Sequence, residues 1–190
     1  MPYFSNTTVF LITTIFDLAS YFLLLRIFFQ FFNVNFFNPL CQSVVKLSDL
    51  FLVWLRRLLP TGKKIDYAAV IVLFIIECLF FLILSSLSKT NYGALAIGIF
   101  SLASIFEKII NLITWSVLIL VIFSWFSSQK HHPLLEIVDD ITKGCLNKIR
   151  SFLPPFGTLD FSPLILIIML QIFMMLVILP FQDLGISAIK

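Results

Sequence analysis

Charge is what this chain has least of. Only 12% of its 190 residues are Asp, Glu, Lys or Arg, while 60% are hydrophobic and 23 are Phe. A soluble domain carries about twice that charge fraction, and a chain this short has too little interior to hide so much apolar surface. A water-surrounded globule is therefore excluded. The three cysteines (Cys41, Cys78 and Cys145) lack the close, paired spacing that a disulfide framework or a zinc site needs, and read as reduced side chains. There is no C-x-x-C-H haem attachment, phosphate-cradling glycine loop or nucleophile elbow. His131-His132 has no third ligand beside it. No cofactor, metal or catalytic group is expected, and the chain reads as non-enzymatic. Residues 1–16 contain no Lys or Arg and no small-x-small cleavage site follows, so the first apolar run is expected to be a retained helix and not a signal peptide.

Long uncharged runs take the place of what is missing. Phe161–Gln182 and Ile109–Gln129 each exceed the roughly 20 residues that cross a bilayer core. Tyr67–Ser88 contains only Glu77, and Val9–Phe32 contains Asp17 and Arg26. The runs are solid, unlike the short alternating segments of a membrane barrel. An all-α membrane protein follows, with four transmembrane helices over 9–32, 67–88, about 106–127 and 161–182. Residues 93–106 are apolar and rich in small residues, and fit either an outward extension of the third helix or a close-packing segment. Lys46, Arg56, Arg57, Lys63 and Lys64 lie between the first two helices, and Lys130, Lys143, Lys148 and Arg150 between the last two. Basic loops stay inside, so both are expected in the cytoplasm and both termini on the other side.

Sliding the chain by 94 residues sets LRRLLPTGKKIDYAA (Leu55–Ala69) on IRSFLPPFGTLDFSP (Ile149–Pro163) without a gap. Arg56 meets Arg150, Pro60 meets Pro154, Asp66 meets Asp160, and NPL at Asn38 meets HPL at His132. Between positions 24 and 66 there are eleven identities, where this composition gives about four by chance. This is an internal duplication: 1–92 and 93–190 are two repeats, each a membrane helix, an amphipathic stretch and a second membrane helix. Leu134, Val138, Ile141, Cys145, Ile149 and Phe152 share one helical arc, with Glu136, Asp139, Asp140, Lys143, Asn147 and Arg150 opposite. In the first copy Leu40, Val44, Leu47, Phe51, Leu55 and Leu58 face Gln42, Lys46, Asp49, Arg56 and Arg57, with Val45 and Val53 spoiling the polar side. Both stretches, 39–59 and 133–153, are expected to be interfacial helices in the headgroup layer.

The joint motif links a helix on the membrane to a helix through it. Pro60 and, in the second copy, Pro154 or Pro155 are expected to stop the first. Arg150 sits in its last turn, suited to the dipole and to lipid phosphates. Asp160, like Asp66, caps the second, satisfying N–H groups that lipid would leave unpaired. Both joints lie on one side, so the repeats are parallel, unlike inverted transporter repeats.

LLLRIFFQFF (Leu23–Phe32), NPL, LRRLLP followed by ID, and LPPFGTLDFSP resemble the YggT family, also called YlmG, of bacterial and plastid membrane proteins. The likeness runs from about Asp17 to Met175, with Lys63-Lys64 departing from a Gly-containing turn. It implies a multi-pass protein of a bacterial cytoplasmic (inner) membrane. It also implies association with osmotic-stress tolerance, division-gene neighbourhoods and, in plastids, haem-protein assembly and nucleoid partitioning. It carries no catalytic residues.

Among the charged residues, Asp17, Arg26 and Glu77 form the candidate intramembrane polar cluster. Helical rise places Arg26 and Glu77 at similar depth, so a buried Arg26–Glu77 pair is geometrically open. Asp17 is out of phase with Arg26 and needs a neighbour from elsewhere. Glu107 and Lys108 are expected at the outer interface. Expected partners are the bilayer with its anionic headgroups, and other membrane proteins or further copies of the chain. No specific nucleic acid is expected. The function this favours is an adaptor or organising factor at the cytoplasmic membrane face; the alternative is a small oligomeric ion or solute transport component.

Overall fold

The computed structural model describes residues 2–53, 55–57, 62, 64–88, 90, 92–125, 132–152 and 160–189, with backbone alone at 2–5, 51, 57 and 125. The joint prolines Pro60 and Pro154 lie outside the described residues, as does His131. What is described is helical: α1 (Pro2–Phe31), α2 (Pro39–Leu52), a 3-10 turn at Leu55–Arg57, α3 (Tyr67–Ser88), α4 (Ala94–Trp125), α5 (Pro133–Phe152), α6 (Ser162–Phe173) and α7 (Leu179–Ser187). Four stretches are long and apolar enough to cross a membrane: Asn6–Phe31, Tyr67–Ser88, Ala94–Ser124 and Ser162–Ser187. The last consists of α6, a π turn at Met174–Ile178 and α7. Pro180 explains the π turn, since its ring crowds the carbonyl four residues back and it has no N–H to donate.

Local chemistry sets the boundaries. Asn33 ends α1 in the left-handed region (φ 54°), where asparagine is among the few tolerated side chains. The Val34 N–H then donates to Phe29 O at 2.9 Å, closing the last turn. Asn38 caps α2, its Oδ1 accepting from the Leu40 N–H at 3.0 Å. One repeat later, His132 Nδ1 accepts from the Leu134 N–H at 3.2 Å. α2 and α5 thus both begin at a capped proline, 94 residues apart (133 less 39). Gly62 allows the chain to pass close to Tyr67, where a Cβ would lie 2.6 Å from the ring.

Within each repeat the two membrane helices pack together, α1 on α3 and α4 on α6 and α7. The repeats meet where α3 packs along α4, and α2 lies against α5. Asn38 ties that second contact: its Nδ2 donates to Pro133 O at 2.7 Å and to Glu136 Oε2 at 3.3 Å. Both joints therefore lie at one end of the bundle, as parallel repeats require. The main core, built around Leu23, Leu24, Phe28, Phe29, Leu52 and Leu73, also takes in Leu112 of α4 and Ile137 and Ile141 of α5.

Two readings change. Residues 94–106 are helix, the extension that the sequence left open, so α4 runs 32 residues, about 48 Å. What changes is the Glu107–Lys108 pair, which sits at its middle and not at an outer interface. The first interfacial stretch is shorter than 39–59, because regular helix stops at Leu52. It is also turned: Cys41, Ser48 and Leu52 are buried while Leu40, Leu47 and Leu50 are exposed. The reason is polar, since turning Ser48 and Asp49 toward α1 brings them to Arg26.

Candidate functional site

The structure separates the three intramembrane charges into two clusters. Arg26 and Glu77 do not pair. Arg26, 8% exposed, reaches toward the near end of the bundle, as a long side chain can, and joins the first joint. Its Nε donates to Asp66 Oδ2 at 3.2 Å. Its Nη1 donates to Ser48 Oγ at 2.6 Å and Val45 O at 3.0 Å, and lies 2.8 Å from Asp49 Oδ1. Val45, an apparent blemish on the polar face of α2, supplies a carbonyl to that guanidinium. Arg56 completes the set, with Nη2 on Asp66 Oδ2 at 2.7 Å and Nη1 on Asp49 Oδ1 at 2.8 Å. Two guanidinium groups and two carboxylates thus fix α1, α2 and α3 to one another.

Asp66 is 1% exposed and also caps α3, its Oδ1 accepting from the Ala69 N–H at 3.2 Å. The second joint repeats the motif in the open. Arg150 Nη2 donates to Asp160 Oδ2 at 2.7 Å, and Asp160 Oδ1 accepts from the Ser162 N–H at 2.9 Å. Side-chain exposures there are 47% and 44%. Leu120 stands where the first repeat has Arg26, and Lys143 where it has Asp49, so the outer copy keeps only the central pair. Arg150, read from sequence as suited to lipid phosphates, is paired with Asp160, as Arg56 is with Asp66.

Burial pushes the Asp66 carboxyl up, but hydrogen bonds from Arg56, the Ala69 N–H and Arg26 outweigh it and hold it below the usual range. At Asp160 burial likewise acts upward, and bonds from Ser162 and Arg150 win. Carboxylates depressed in the folded state contribute stability above their unfolded value, about 3.9 for aspartate, and lose it as pH falls through the lower folded value. Stability from the joints should then be flat from neutral pH down to about pH 5 and decline only in stronger acid. Denaturant unfolding in mild detergent across that range checks this; a transition near neutrality would contradict it.

The second cluster lies near the middle of α1, α3 and α4. Lys108, near the middle of α4, is 8% exposed and not at an outer interface. Its Nζ lies 2.8 Å from Glu77 Oε1 and 3.1 Å from Asp17 Oδ1, and donates to Ser104 Oγ at 2.8 Å. Ser20 Oγ donates to Glu77 Oε1 at 2.6 Å. Glu77 is 1% exposed, and its Oε2 has no hydrogen-bond partner among the described residues. The neighbour Asp17 required is thus Lys108, from the other repeat. Glu107 faces the other way and accepts from Gln182 of α7 at 3.1 Å. Lys108 was missed because the apolar stretch before it hid how far the helix extends. An amine in a 32-residue apolar helix was the available signal, with two carboxylates at mid-helix on its neighbours.

Chemically, both clusters hold helices in register through charge-assisted hydrogen bonds. Among the described residues no group of three or more His, Cys, Asp or Glu is placed to hold a metal ion.

The CCB3/YggT family model matches the chain twice, at residues 5–87 and 99–181. The matches are offset by 94 residues at both ends (99 less 5, and 181 less 87), the same offset that aligns the joints. The uncharacterized protein YggT of Escherichia coli (strain K12) is 35% identical over 167 residues, 88% of this chain and 87% of that protein. An uncharacterized protein in the proC 3' region of Vibrio alginolyticus is 34% identical, over 87% of this chain and 90% of its own. An uncharacterized protein of Haemophilus influenzae is 32% identical, over 87% and 88%. No solved structure matches the chain. Doubled match, shared offset and near full-length similarity agree: the chain belongs to the CCB3/YggT family.

Proposed function

We propose that this protein is a non-enzymatic adaptor or organising factor. It sits in the cytoplasmic (inner) membrane of a bacterium, with α2 and α5 at the cytoplasmic face and both termini opposite. The observation that supports this is the pair of short helices laid side by side and anchored by Asp66 and Asp160 to the membrane helices that follow. Such a platform keeps its shape while exposing Lys46, Lys143 and Lys148 to anionic headgroups and to other membrane proteins. Arg56 and Arg150 are committed to the joints, so the lysines test the reading. Reversing Lys46, Lys143 and Lys148 to Glu should leave folding intact and remove a stoichiometric partner recovered by cross-linking and mild-detergent purification from native membranes. Unchanged recovery, or recovery of the chain alone, counts against an adaptor.

The second reading is a small oligomeric ion or solute transport component linked to osmotic-stress tolerance. What favours it is the Lys108–Glu77–Asp17 cluster, since intramembrane charge often marks a transported path. Liposome flux abolished by neutralising these residues, in protein that still folds, would move the assignment there.

A further inference from the structure

The contact between the two repeats is heterologous: α4 of the second repeat packs on α3 of the first, and no comparable packing of α1 on α6 exists among the described residues. A unit that packs on a homologue through two different faces leaves one of each face open at the ends of the pair. The open faces can be read by the 94-residue correspondence. On α4, Ile105, Ile109 and Leu112 pack on the first repeat. Their counterparts on α1 are Leu11, Ile15 and Leu18, all exposed. On α5, Ile141 enters the first repeat's core, and its counterpart Leu47 on α2 is exposed. On α3, Phe81 stacks on Phe100 of α4, and its counterpart Met175 is exposed.

The polar residues follow the same correspondence. Inside the chain Lys108 meets Glu77 and Asp17; one repeat away the same positions are Thr14, Gln171 and Asn111. All three are uncharged and carry a hydrogen-bonding group. Gln171, near the middle of the last membrane segment and half-buried, forms no side-chain hydrogen bond among the described residues. Pure lipid contact asks for no such groups at these places, whereas a neighbouring helix uses them, since glutamine and threonine side chains hold membrane helices together.

We infer that copies of this chain associate head to tail in the membrane. The α1 and α2 faces of one copy pack on the α4–α6 face of the next, reproducing the contact between repeats, with Thr14 set against Gln171; Asn111 is already held by Tyr21 of its own chain. Neutral polar residues suit a joint whose halves must each survive in lipid before they meet; the charged version occurs where both partners are in one chain. Self-association of this kind does not depend on an adaptor role.

The test is a benzophenone amino acid at position 14 of the full chain, irradiated in liposomes containing only this protein, with adducts mapped by mass spectrometry. The expected result is an adduct between chains at residues 162–178. Adducts with lipid alone, or with α1 of another copy, would overturn the proposal. In the same assay Gln171→Leu should lower the interchain adduct about tenfold, for a hydrogen bond of about 1–2 kcal/mol. Because that variant alone could perturb folding, charge exchange supplies a second measurement. Thr14→Lys alone should dissociate detergent-solubilised oligomers, and Thr14→Lys with Gln171→Glu should restore them. Restoration failing in protein that still unfolds cooperatively would also overturn it.

Discussion

Lys108→Met is expected to lower stability by about 3–5 kcal/mol, the cost of removing one partner from a buried ion pair. Among the described residues Lys108 is the single cation serving Glu77 and Asp17, and it belongs to the other repeat. Without it, two carboxylates face each other across α1 and α3 far from any headgroup. The contact between repeats goes with it, since Lys108 lies among the α4 residues that pack on the first repeat. Buried ion networks can often be replaced whole by apolar residues at little cost. The triple change Lys108→Met, Glu77→Met and Asp17→Leu should therefore recover most of the loss. Thermal or denaturant unfolding in mild detergent separates the cases. A single Lys108→Met variant within about 0.5 kcal/mol of the parent would mean that the cluster does not hold the repeats together. A triple variant as unstable as the single one would mean that the ionic groups contribute more than mutual compensation.

The second large effect is unequal between matching residues. Asp66→Ala should cost about 3–5 kcal/mol, because it leaves Arg26 and Arg56 one carboxylate short in a buried site. Asp160→Ala should cost about 1 kcal/mol, the loss of a cap and an exposed ion pair. Asp66→Asn separates the two duties of that residue: it keeps an acceptor for the Ala69 N–H but not the charge, and should remain nearly as destabilised as Asp66→Ala. Equal losses for Asp66→Ala and Asp160→Ala would show that the Arg26 and Asp49 contacts of the first joint add nothing. The comparison needs no knowledge of the protein's partner, since only the folded state is measured.

Composition and order along the chain were enough to determine that the protein is helical and built to span a membrane four times. They also determined that it is doubled at a 94-residue interval, because hydrocarbon runs and capping side chains act through local physics. Asn38, His132, Asp66 and Asp160 do as caps what their side chains dictate wherever a helix begins. Which charge meets which was decided only by the tertiary structure. Depth estimates made Arg26 and Glu77 possible partners, yet Arg26 extends down to Asp66 and Asp49, and Glu77 is met by Lys108. The rotation of α2 was decided the same way, as Arg26 drew Ser48 and Asp49 inward and left Leu40 and Leu47 outside. A buried charge in lipid goes to whichever neighbours satisfy it most completely, and those neighbours come from helices distant in sequence, so the pairing emerges only once the helices have packed.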